Sequence, residues 1–105
     1  MANNTQLLKG LLDGIILKII NDNETYGYEI YVKVKELGLS DFAEGSLYPL
    51  LLRLEKKGFI KGVRRESKIG PDRKYYYLTE EGIKQMNSFK KAWDNIEIAI
   101  HNLWN

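Results

Sequence analysis

The stretch GSLYPLLLRLEKKGFIKGVRRESKIGPDRKYYYLTEEG, residues 45–82, decides the fold. Its first third reads as a helix. Pro49 has no amide hydrogen and its ring clashes with the carbonyl four residues back, so it belongs in a first turn. Ser46 is then the expected N-cap, with Pro49 at the third helical position and closure at Gly58 after Lys57. At 3.6 residues per turn, Leu47, Leu50, Leu51 and Leu54 share one face, while Tyr48, Pro49, Leu52, Arg53 and Lys56 occupy the other. Residues 59–66 and 73–78 follow as short strands, the second carried by the β-favouring Tyr75, Tyr76 and Tyr77. Between them, residues 67–72 are turn formers carrying Lys68, flanked by Arg64, Arg65, Arg73 and Lys74. The segment is a helix followed by a β-hairpin with a basic tip.

Upstream, apolar residues fall at 7, 8, 11, 12, 15, 16, 19 and 20. That is helical spacing over about residues 5–20, with an apolar face wider than one packing surface needs. Polar turn formers at 21–24 end it. A second helix is expected from about Gly27 to Leu37, stopped by Gly38, with Ile30, Val34 and Leu37 as its stripe and Tyr31 beside them. Downstream, Thr79 is the expected N-cap of a terminal helix, and Glu80 and Glu81 suit its positive end. In that helix Met86, Phe89, Trp93, Ile96, Ile100 and Leu103 are spaced as an a/d heptad seam. Such a seam calls for a partner helix. The expected partner is a second copy, with Leu8 and Leu12 on the wide face of the first helix meeting the other subunit's terminal helix. Gly10 and Gly14 would allow the close approach.

The 105 residues carry a net charge of only +2. Its distribution is uneven. From Arg53 to Lys74 there are nine basic and three acidic residues, net +6, and the rest of the chain is net −4. A basic segment on an otherwise acidic chain is the footprint of a polyanion binder. The absence of cysteine removes disulfides, thiolate nucleophiles and Cys-ligated metals, and the single histidine, His101, cannot build a metal cluster. No cofactor or metal is expected. No nucleophile–base set, carboxylate pair or Gly-rich phosphate loop points to an enzyme. The longest apolar stretch, residues 7–20, is broken by Lys9, Asp13 and Lys18 and is too short for a bilayer, and no basic lead-in marks a secretion signal. A cytoplasmic protein is expected.

These elements spell a mainly α fold with a small β-hairpin: a winged helix-turn-helix over residues 1–78 and a C-terminal dimerisation helix over 79–105. The third helix would enter a major groove of double-stranded DNA with Tyr48, Arg53 and Lys56, and the basic hairpin would reach phosphates or the minor groove. Leu52 is open to two readings, contact with a thymine methyl or burial beside Pro49. The alternative function is a winged-helix dimerisation module that binds protein rather than DNA, which would not need the basic window.

YGYEI (26–30), GSLYPLLLRLEKKGFI (45–60) and GPDRKYYYLTEEG (70–82) resemble the three signature segments of the PadR family of bacterial transcriptional regulators. The resemblance runs nearly end to end and is to the small subfamily with a single C-terminal helix. It implies a homodimeric repressor that binds a palindromic operator and is released by a small aromatic, phenolic or drug-like ligand. It further implies DNA contacts from Tyr26, Tyr28, Ser46, Tyr48 and Pro49, and from Lys68, Arg73 and Lys74 of the wing. Asp72 departs from the pattern, since basic or small residues are common there. Trp93 carries two readings: it fills the dimer seam, or with its symmetry mate it sandwiches a planar effector. The resemblance, which places a tryptophan at about this position, brings the second reading level with the first.

Overall fold

The computed structural model describes residues 4–105, with side chains from position 7 onward. Residues 1–3 of the expected N-terminal domain lie outside the described residues. The order is α1 (Asn4–Asp22), β1 (Thr25–Tyr26), α2 (Gly27–Glu36), α3 (Glu44–Lys56), β2 (Ile60–Arg65), β3 (Arg73–Leu78) and α4 (Glu80–Trp104). The strands form one antiparallel sheet in the order β1-β3-β2. The architecture is the expected winged helix with a terminal helix.

The wide apolar face of α1 is explained inside the chain. α1 packs on α2, on β3 and on α4, and Leu12, Ile16, Leu17, Ile19 and Ile20 are buried by these neighbours. Leu12, expected at the dimer surface, is therefore a core residue, and Leu8 is half-buried against the same core. Gly14 is also spent within the protomer. A Cβ there would overlap the ring of Phe89, whereas one at Gly10 would meet nothing within 4 Å.

α2 ends one residue early. Leu37 is its C-cap and stands 64% exposed instead of completing the buried stripe of Ile30 and Val34. Gly38 follows with φ 105°, a left-handed conformation that only glycine adopts without strain. Phe42, in the α2–α3 connection, is buried and stacks near Tyr31 with ring centres 6.3 Å apart.

α3 begins three residues earlier than the proline rule implied. Ala43 is the N-cap, Ser46 lies inside the helix, and Pro49 is in its second turn. The missing amide of Pro49 leaves the carbonyl of Gly45 without its helical partner, on a face where both residues are exposed to solvent. Leu47, Leu51 and Leu54 hold the helix against the core. At its other end the amide of Gly58 donates to the carbonyl of Glu55 at 3.0 Å and that of Phe59 to Leu54 at 3.1 Å. This paired closure is a Schellman motif.

The Thr79 hydroxyl oxygen accepts from the Gly82 amide at 3.0 Å and donates to the Gly58 carbonyl at 2.6 Å. One side chain thus caps α4 and ties it to the end of α3. Among the described residues no helix is long and apolar enough to cross a membrane, and no cluster of His, Asp or Glu could hold a metal.

Candidate nucleic-acid interface

The outward face of α3 meets the sheet at Tyr48. Its ring lies over Gly27, where a Cβ would stand 2.8 Å from the ring carbon Cε1. Its hydroxyl donates to Glu44 Oε2 at 3.0 Å, one turn earlier on α3. Partial burial, followed by this bond to a carboxylate, raises the phenol above its ordinary 10.0. Tyr48 therefore stays neutral, a fixed ring with an oxygen still free to accept.

Around it, Tyr26, Gly27, Tyr28, Arg73, Lys74 and Tyr76 line a cleft of about 280 Å³ between α3, the start of α2 and β3. The register Tyr26↔Tyr75 brings the first two tyrosines to the wing. Arg73 stacks its guanidinium 4.5 Å from the centre of the Tyr26 ring. Five of the expected DNA contacts, Tyr26, Tyr28, Tyr48, Arg73 and Lys74, thus converge on one surface.

The wing concentrates positive charge against its own interest. Arg64 stands opposite Lys74 and Arg65 opposite Arg73 in the β2–β3 ladder. Like charges directly across strands are destabilising. The chain offsets this with local partners: Lys74 binds Glu55 at 2.9 Å, and Arg65 binds Glu24 and the Tyr77 hydroxyl while lying 4.3 Å from the centre of the Tyr75 ring. The bond to Glu55 raises Lys74 above 10.5, so it is fully charged at neutral pH. The wing tip is held by Asp72, whose Oδ1 accepts the Ser67 amide at 3.3 Å, with Gly70 at φ 92°. The unusual acid at position 72 shapes the turn. Lys68 and Ile69 project from it, Ile69 at 88% exposure.

Two expected contacts sit elsewhere. Arg53 pairs with Asp13 of α1, and it lines a second, more apolar cleft of about 380 Å³ with Ser46, Leu8, Phe42 and Leu50. The reason is angular: each helical residue advances 100°, which carries Arg53 past the outward face toward α1. Pro49 and Lys56 are exposed as expected, and Leu52 is 52% exposed rather than buried. The pairings of Arg65, Glu44 and Glu55 were not read from the sequence. Their roles depend on partners 12 to 41 positions away or on where α3 begins.

The residues 16–88 match the family model described as the transcriptional regulator PadR-like family. The chain belongs to the PadR-like family. A PadR-like transcriptional regulator of Bacillus cereus is 44% identical, with a TM-score of 0.88 over 95% of this chain and 97% of that one. A transcriptional regulator of Streptococcus is 41% identical, TM-score 0.86, over 95% and 98%. A PadR family regulator of Clostridium difficile is 35% identical, TM-score 0.78, over 89% and 97%. This PadR-like protein is thus a DNA-binding transcriptional regulator and not an enzyme, and PadR regulators are generally dimeric.

The PadR arm, α4, divides in two. Met86 packs on the core and Phe89 on Gly14 of the same chain, so the inner part of the heptad seam is intrachain. Trp93 is half-buried at the transition. Beyond it Ile96, Ile100 and Leu103 are 52%, 51% and 72% exposed. His101 is exposed and bonds Asn105 at the helix end.

Proposed function

We propose that the protein is a homodimeric repressor that binds a palindromic operator and releases it when a planar aromatic or drug-like molecule binds beside Trp93. The observation that carries the first half is the cleft where Tyr48 of α3 meets Tyr26, Arg73 and Lys74. A recognition helix and a basic strand there share one surface that matches a groove and its phosphate rim. In this reading residues 1–78 act as the DNA-binding domain and 79–105 as the dimerisation arm, its first turns tied to α1. The exposed Ile96, Ile100 and Leu103 supply the dimer seam and a two-fold axis, which a palindrome mirrors. Trp93 stands half-buried at the root of that seam, where its indole can stack on a flat ligand. Spreading the α4 helices would alter the distance between the two α3 helices from the roughly 34 Å of successive major grooves.

The test combines gel-shift titration of promoter fragments with tryptophan fluorescence titrated with planar dyes. Affinity should fall by roughly 10³ between 50 and 200 mM salt if about six phosphates are neutralised. Quenching should vanish in Trp93→Ala, with Trp104 as the internal control, and the dye should weaken operator binding. Salt-independent association refutes the DNA reading. Quenching unchanged in Trp93→Ala refutes the effector site.

A further inference from the structure

The outward face of α3 is poor in the groups that usually read bases. Arg pairs bidentately with guanine, and Asn or Gln with adenine. The helix sequence EGSLYPLLLRLEK contains no Asn or Gln, and its one Arg, Arg53, is engaged by Asp13 of α1. Glu55 is engaged by Lys74, and Glu44 holds the Tyr48 hydroxyl. What remains turned outward along the middle of the helix is Tyr48, Pro49, Leu52 and, one turn on, Lys56. Leu52 lies one turn, about 6 Å, beyond Tyr48. It is 52% exposed and no part of the core cluster. A branched aliphatic side chain on a helix face flanked by cations has one apolar counterpart in a major groove, the thymine 5-methyl group.

We propose that Leu52 is a specificity-determining residue that reads a thymine methyl in each operator half-site, beside the ring of Tyr48. The inference rests on the DNA-binding reading above and deepens it. Recognition by α3 is then largely apolar, and the operator carries a thymine at a fixed position in each half. Because the contact is methyl against methyl, it discriminates thymine from uracil, which pair identically and differ only in that group.

The experiment uses duplexes selected from a random pool by the full chain, then resynthesised with deoxyuridine in place of each thymidine in turn. One substitution should weaken wild-type binding about fourfold in one half-site and about fifteenfold in both, the worth of one buried methyl each. Leu52→Ala should bind the thymine duplex correspondingly more weakly and show no preference between thymine and uracil at that position. Its circular dichroism and melting should match the wild type, because the residue supports no core contact. Wild-type affinity indifferent to every uracil substitution overturns the proposal. So does a uracil penalty retained in full by Leu52→Ala, which would assign the methyl to another residue. Selection that enriches no duplex at any salt concentration overturns the DNA-binding reading itself, so the two failures are distinct.

Discussion

A Cβ placed on Gly14 of α1 would lie 2.1 Å from the ring of Phe89 on α4. The overlap falls on Cγ and both Cδ atoms, so the ring must shift to admit a methyl group. The contact packs the root of the terminal helix on α1 of the same chain.

Gly14→Ala should therefore destabilise the protein by about 1–3 kcal/mol, the range for overpacking, against about 1 kcal/mol recovered in helix propensity. Gly10→Ala, with nothing within 4 Å, should show only the gain. Thermal unfolding of the two variants checks this. Equal melting temperatures would mean that α4 does not rest on α1 through this contact.

Gly27 and Tyr48 stand in the same relation on the proposed DNA face, with the ring 2.8 Å from an added Cβ. Gly27→Ala should displace the ring and weaken operator binding, while Tyr48→Ala removes the clash along with the ring. A double-mutant cycle on operator affinity should thus be non-additive, with the double variant no weaker than Tyr48→Ala alone. Additive losses would separate the two residues.

What was legible in the sequence was local. Gly38, Gly58 and Thr79 announce helix ends because their conformations or hydroxyls act within a few residues. The leucine stripe of α3 needs only its period. Pro49 misled because a local rule met a tertiary override: burial of Leu47, Leu51 and Leu54 stabilises a helix that starts at Glu44 despite one lost backbone bond. β1 is two residues long and has no period to read, and it exists only through β3, some fifty positions on. The pairs Asp13–Arg53 and Glu24–Arg65 span 40 and 41 residues. They decide which cations of the basic window are tied to carboxylates of the chain, and composition does not reveal them.

Asp13→Asn should release Arg53 and remove a negative charge beside α3. If the freed guanidinium reaches a phosphate, the slope of log K against log salt steepens by about 0.9 per subunit. Gel-shift titrations at several salt concentrations measure it. An unchanged slope would show that Arg53 stays turned to α1 without its partner.

Lys74 offers a pH test. Its hydrogen bond to Glu55 raises it above 10.5, so the bond's contribution is complete below that value and is lost as pH rises through the raised one. Between pH 6 and 9 it contributes a constant charge. Side-chain nitrogen NMR should show the Lys74 midpoint moving down toward 10.5 in Glu55→Gln. A midpoint that ignores the substitution would mean that the cross-element pair is not formed in solution.

The heptad seam should split under mutation where the structure splits it. Phe89 is half-buried on Gly14, so Phe89→Ala removes an intrachain contact and should cost about 1–2 kcal/mol of the protomer's stability. Ile100 and Leu103 touch no core and are 51% and 72% exposed. Charges there should spare the fold and break association, because a seam that buries two copies of each side chain would then bury like charges across the axis. Ile100→Glu with Leu103→Glu is expected to sediment as a folded monomer at micromolar concentration, with wild-type helical content. Its affinity for a palindromic duplex should drop toward that for a single half-site. A double variant that remains a dimer would place the interface away from the outer turns of α4.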